Sequence, residues 1–104
     1  MPIIVQKYGG TSIGSIEKIN TVANKIIAEK NNGNDLVVVV SAMSGETNRL
    51  LELAKQADSD ASGRELDVLV STGEQVTISL LTLSLIKKGY KALYPFLISD
   101  KVRS

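Results

Sequence analysis

Asp35-Leu36-Val37-Val38-Val39-Val40-Ser41 is an apolar run without alternation, closed by a small hydroxyl residue. A strand with one wet face alternates apolar and polar residues. This run does not, which predicts a strand buried on both faces, in a parallel sheet covered by helices. Upstream, Ile3-Ile4-Val5-Gln6-Lys7-Tyr8 reads as a second, β-branched strand, also expected to be buried. Between the two, Ile16, Ile19, Val22, Ala23, Ile26 and Ile27 recur at helical spacing, with Glu17, Lys18, Lys25 and Glu29 elsewhere on the wheel. Ser15 is placed to cap that helix and Asn31-Asn32-Gly33 to stop it. Strand, helix and strand make a βαβ unit, for which a right-handed crossover is expected.

Downstream of Ser41 the pattern repeats in part. Ser41-Ala42-Met43-Ser44-Gly45-Glu46-Thr47 is a loop of small residues, followed by a helix in which Leu50, Leu51, Leu53 and Ala54 are apolar. A polar break over 58–63 precedes Ser62-Gly63-Arg64-Glu65, which fits a capping box. The reading is then a short helix over Leu66–Ser71, a bend near Thr72-Gly73, and a longer helix from Glu74 to Lys88 that stops at Gly89. The Leu50/Leu51/Leu53 and Leu80/Leu81/Leu83 clusters read as core. Tyr90-Lys91-Ala92-Leu93 reads as a third strand, and nothing after it as a closing element. The fold class expected is α/β, a three-layer αβα arrangement with a mainly parallel sheet. Three strands make such a sheet thin, so the chain reads as the first part of a larger domain.

Composition narrows the chemistry. With 43% hydrophobic and 22% charged residues, the 104-residue chain is ordinary for one globular domain with a modest core. A net charge of +1 gives no footprint for nucleic acid or an anionic membrane. Lys87, Lys88, Lys91, Lys101 and Arg103 read as a solvated face, and three tyrosines and one phenylalanine are too few to stack bases. Cysteine and histidine are both absent. That removes disulfides, Cys/His zinc sites, thiol nucleophiles and Ser-His-Asp triads from this chain. Lysine, carboxylates, hydroxyls and backbone dipoles remain, and phosphoryl transfer is a large reaction class that runs on these. The N-terminus enters a strand without a basic leader, and the apolar run Val76–Ile86 is too short to span a bilayer. A cytoplasmic chain is expected.

Both clear strands end in glycine- and hydroxyl-containing loops on one sheet edge, where open α/β sheets bind ligands. In the first, Lys7-Tyr8-Gly9-Gly10-Thr11-Ser12, a cation precedes two glycines whose N–H groups can approach an anion unobstructed. It is not a Walker A loop, because Ser15 stands where that spacing from Gly9 and Gly14 needs lysine. Nor is there a G-x-G-x-x-G pattern. An ordinary surface lysine at a strand-to-turn junction is the plainer reading of the same residues. Ser41, Ser44 and Thr47 either bind a small polar ligand or cap the helix that starts near Gly45. Glu74 either completes a capping box with Ser71 or grips a substrate ammonium. Arg49, Arg64 and Asp67 read as solvated helix positions.

Taken together, these segments resemble the aspartate kinases of the amino acid kinase superfamily. Lys7-Tyr8-Gly9-Gly10-Thr11-Ser12 is similar to that family's opening K-[FY]-G-G-[TS]-S signature. Val38-Val39-Val40-Ser41-Ala42-Met43 with Thr47-Asn48-Arg49-Leu50-Leu51 resembles its second block. Arg64-Glu65-Leu66-Asp67 through Ser71-Thr72-Gly73-Glu74-Gln75 resembles its third. The resemblance implies ATP-dependent phosphorylation of the side-chain carboxylate of L-aspartate, the entry to lysine, threonine, methionine and diaminopimelate. Lys7 would neutralise charge on the transferring phosphoryl group. Lys7, Tyr8, Gly9 and Gly10 would hold ATP phosphates, with Ser12 close by. Ser41 and Thr47 would contact aspartate, and Glu74 its α-ammonium. Mg2+ is implied beside ATP, with its ligands outside this sequence. L-aspartate and ATP are the partners implied, with no nucleic acid and no membrane, and the whole protein is expected to be a homo-oligomer.

Beyond Leu93 the family continues into a Thr-Gly-containing stretch. Here Tyr94-Pro95-Phe96-Leu97-Ile98-Ser99-Asp100 stands instead, and no role is carried over to it. A G-R-G-G-S-D-type loop, a second acidic block, an adenosine pocket and ACT regulatory domains are also absent from these residues. The chain therefore reads as the N-terminal part of a kinase domain, inactive by itself. Two alternatives stand beside this. One is a superfamily kinase acting on glutamate, N-acetylglutamate, carbamate or UMP, although Thr47 and Glu74 suit a free amino acid. The other is a non-catalytic fragment that self-associates through an open sheet edge.

Overall fold

Strand β2 (Asp35–Val40) is the centre of a three-stranded parallel sheet, with β1 (Ile3–Tyr8) on one side and β3 (Leu97–Ser99) on the other. The structure, a computed structural model, describes residues 3–90 and 97–99. Ile3 pairs with Asp35 and Tyr8 with Val40, so β1 and β2 end level. The Ser41 N–H then donates to the Tyr8 carbonyl at 3.2 Å, which holds the two loops beyond these strands on one edge.

Helix α1 (Ile16–Asn31) links these strands. The Ser15 hydroxyl accepts from the Lys18 N–H at 3.2 Å, the cap that was expected. At the other end the chain turns away through Gly33 at φ 85°. Ile19, Val22, Ala23 and Ile26 of α1 pack with Leu36, Val38 and Val40 of β2 and with Ile78, Leu81 and Leu85 of α3 (Gly63–Lys87). Each buried valine, leucine or isoleucine among them contributes about 1.5–3 kcal/mol by leaving water. Helix α2 (Glu46–Ala57) packs on α3, and Ser84 Oγ donates to Asn20 Oδ1 at 2.6 Å, tying α3 to α1.

The α/β class and parallel sheet agree with the sequence reading, and four details differ. Among the described residues, helices cover one sheet face only. Ile3 and Val5 on the other face of β1 are 69% and 66% exposed, so β1 is not a buried strand here. Second, α3 is one continuous helix of 25 residues, without a break at Thr72-Gly73. Ser71 and Thr72 turn their hydroxyls back to the carbonyls of Val68 and Leu69, at 2.8 and 2.6 Å, so neither interrupts the helix. Ser62 holds the N-cap position, yet its side chain makes no capping bond. At this length α3 is long and apolar enough to cross a membrane, which Val76–Ile86 alone is not; here it packs against α1, α2 and β2.

The third difference is the last strand. Tyr90 lies outside any strand, and Lys91-Ala92-Leu93 lie outside the described residues. Strand β3 comes from Leu97-Ile98-Ser99, where no element was expected. Three residues carry too little periodicity to be read as a strand. Tyr90 instead closes the core, its N–H donating to the Leu85 carbonyl at 3.0 Å and its hydroxyl to Asn31 Oδ1. Fourth, the leucine clusters are split. Leu50 and Leu81 are buried, whereas Leu51, Leu53 and Leu83 are 37%, 45% and 62% exposed.

That split is testable. Leu81→Ala should lower unfolding free energy by about 2–5 kcal/mol in denaturant titrations, because Leu81 has no exposed surface. Leu83→Ala should change it by no more than about 0.5 kcal/mol.

Candidate active site

Because β1 and β2 end level, the chain leaves both at the same height, and two close contacts at glycines bring the loops and α3 together. After Tyr8 it enters a 3-10 turn, Gly10–Ile13, anchored by the fully buried Ile13 and by the Ser12 N–H on the Gly9 carbonyl at 3.0 Å. A Cβ on Gly10 would lie 3.0 Å from the Ala42 carbonyl oxygen and 3.4 Å from the Ser44 nitrogen. Glycine lets the first loop rest on the second without the backbone having to give way. On the other side, a Cβ on Gly73 would lie 3.0 Å from the Ala42 Cβ and 3.3 Å from Leu50 Cδ1. Glycine inside a helix costs about 1 kcal/mol against alanine. Here it allows α3 to press against the second loop.

Those contacts enclose a cleft of about 260 Å³, lined among others by Gly10, Ser41, Ser44, Thr47, Asn48 and Glu74. Glu74, only 1% exposed, forms part of its wall from the middle of α3. That position removes the capping reading of Glu74, since α3 begins eleven residues earlier, at Gly63. Helix α2 has Gly45 at its N-cap, with no side chain to cap with. Ser41, Ser44 and Thr47 therefore do not hold the capping position either. A cleft walled by hydroxyls, an amide and one carboxylate suits a small polar ligand that carries an ammonium group.

The residues read as phosphate-binding are only partly brought together. Gly10 lines the cleft. Tyr8 and Ser12 line a neighbouring groove of about 390 Å³ on the α1 side, with Lys18 and Lys25. Lys7 and Gly9 are exposed at the end of β1, outside both linings. The Tyr8 hydroxyl donates to Gln6 Oε1 at 3.1 Å; burial, aided by the charge of Glu29, raises its pKa. It therefore stays a neutral hydroxyl at physiological pH.

Two residues of the site escaped the sequence reading. Asn48 lies in the first turn of α2, directly after Thr47, and that adjacency was the available signal. Gly73 was read as a helix break, when its lack of a side chain serves close packing. Arg49 and Arg64 are exposed as expected, whereas Asp67 is half-buried. Arg49 grips Glu46 at 2.6 Å, and this hydrogen bond holds the Glu46 carboxyl below the usual carboxylate range. Among the described residues no group of three or more acidic, histidine or cysteine side chains is placed to hold a metal ion.

A family model described as the amino acid kinase family matches residues 2–102. The chain belongs to that family. It is 63% identical over 93 residues to an aspartate kinase of Pseudomonas putida, and 61% identical over 93 residues to an aspartokinase of Geobacillus stearothermophilus. In both comparisons the match covers 89% of this chain and 23% of the relative, so the chain spans about a quarter of their length. Among solved structures, the crystal structure of aspartate kinase from Synechocystis superposes with a TM-score of 0.81 at 36% identity, covering 95% of this chain and 21% of that one. The amino acid kinase fold and the resemblance to aspartate kinases therefore agree with the sequence reading.

The Tyr8 environment carries its own pH dependence. Because the folded-state pKa lies above the unfolded value, the folded form keeps its proton longer. Stability should be unaffected by Tyr8 below pH 10.0 and should fall as pH rises through its raised folded-state value. Ultraviolet titration should place Tyr8 above 10.0, and Tyr8→Phe should flatten the alkaline loss of stability.

Proposed function

We propose that this chain is the N-terminal part of the kinase domain of an aspartate kinase, which phosphorylates the side-chain carboxylate of L-aspartate with ATP. The observation that carries the reading is the cleft in which buried Glu74 meets Ser41 and Thr47. In this reading the Glu74 carboxylate holds the α-ammonium, while the Ser41 and Thr47 hydroxyls orient the rest of the amino acid. Holding the nucleophile in one orientation supplies much of the rate in such a transfer. A side-chain carboxylate oxygen of aspartate attacks the γ-phosphorus, and the bond from that phosphorus to the bridging oxygen breaks. The products are 4-phospho-L-aspartate and ADP.

Phosphate binding falls to the first loop. The Tyr8, Gly9 and Gly10 segment presents backbone amides, with Ser12 beside it, and Lys7 neutralises charge on the phosphoryl group in flight. Lys7 is exposed near the carboxyl end of β1, so in this reading its ammonium stays accessible to a phosphate. Mg2+, when bound, would screen the phosphate charges, and no described residue is assigned to it. The reading also carries a cytoplasmic, homo-oligomeric enzyme. Aspartate is preferred over glutamate, N-acetylglutamate, carbamate or UMP because the similar relatives are named aspartate kinases or aspartokinases.

Acyl phosphate trapping should settle the matter. In the full-length enzyme, Lys7→Ala should lower kcat by about 10²–10³-fold with folding intact. Glu74→Gln should chiefly raise the KM for aspartate. Turnover of glutamate without aspartate would exclude the proposed substrate. The 104-residue chain alone should form no acyl phosphate, and measurable formation would remove the claim that it is incomplete as a catalyst.

A further inference from the structure

We infer that Gly73 is a positioning residue, whose missing Cβ sets how deep the Glu74 carboxylate sits in the cleft. The inference rests on the proposed role of Glu74 and deepens it. Ala42 is only 5% exposed and is wedged from two directions. Its carbonyl oxygen faces Gly10 and its methyl faces Gly73, each 3.0 Å from where the glycine would carry a Cβ. It therefore cannot retreat from α3 without striking the first loop.

A methyl placed on Gly73 has two ways to gain room. Leu50 Cδ1, at 3.3 Å, is the end of a side chain and can turn aside. The Ala42 contact can relax only if α3 withdraws or the 41–45 loop shifts. Withdrawal moves Glu74, the next residue on α3, and a loop shift moves Ser41 and Ser44. Either way the carboxylate and the hydroxyls change their separation. Glu74 is tied to this turn of α3, in which Thr77, fully buried one turn on, donates its hydroxyl to the Gly73 carbonyl at 3.4 Å. The contact at Gly73 thus gauges the distance between the two sides of the amino-acid subsite.

The test is a rescue in the full-length enzyme, with melting temperature, kcat and both KM values measured for every variant. Gly73→Ala should raise the KM for L-aspartate by about tenfold or more, as weakening a contact to its α-ammonium does. The KM for ATP should stay within about twofold of wild type, while kcat with aspartate should fall as its carboxylate is misplaced. Adding Ala42→Gly removes the methyl that the new one strikes, and should return the aspartate KM to within about threefold of wild type. A lowered melting temperature with unchanged aspartate KM would make Gly73 a packing residue only and overturn the inference. So would a raised KM that the double variant does not restore. Should Gly73→Ala fail to fold, Ala42→Gly alone decides, since it removes the same contact from the loop side: a raised aspartate KM in a folded enzyme with unchanged KM for ATP supports the inference, and any other result removes it. Glu74→Gln separates the two levels. If its aspartate KM is unchanged, the reading of the site fails; if it rises while Gly73→Ala is silent, only the positioning inference fails.

Discussion

The level pairing of β1 with β2 is the constraint on which everything else in this chain depends. Tyr8 stands opposite Val40, and the Ser41 N–H on the Tyr8 carbonyl locks that register at the point where both strands end. A slip of one residue would displace the strands by about 3.3 Å along the sheet. It would also turn a strand's alternate residues to the opposite face. For β2 that would withdraw Leu36, Val38 and Val40 from the core they share with α1 and α3. The two loops would then leave the sheet at different heights, and Gly10 could no longer rest on Ala42. Site and core are set by one register.

That register divides the labour between backbone and side chains. The backbone supplies proximity, through close contacts that the missing Cβ atoms allow at residues 10 and 73. The side chains supply modest chemistry: hydroxyls, one amide and one carboxylate, in a chain without histidine or cysteine. Such a set has no strong nucleophile or near-neutral base. In the proposed reading it holds an amino acid still for a reaction whose energetic demand lies in charge placement.

Much of this was legible in the residues. The Asp35–Ser41 run, the Ser15 cap and the glycine stop after α1 are local signals, carried by neighbours in sequence, and the structure contains all three. Glu74 was different. Its sequence neighbours fit a capping box as well as a ligand contact, and only its place in the middle of α3 removes the cap. The leucine clusters were legible as apolar but not as buried, because a helical face becomes interior only when another element covers it. Strand β3 was too short to announce itself.

By itself, then, the sequence determined the βαβ order, the parallel sheet, an inventory of side chains without cysteine or histidine, and the blocks that resemble an aspartate kinase. These arise from local propensity, periodicity and composition, which neighbouring residues set among themselves. Only the tertiary structure decided that α3 runs unbroken through Gly73, that one sheet face stays open among the described residues, and that Tyr8 and Ser12 turn to a different groove from Gly10. Those outcomes depend on distances between residues far apart in the chain. The 3.0 Å between the Ala42 methyl and the space above Gly73 is one such distance, and no local pattern encodes it.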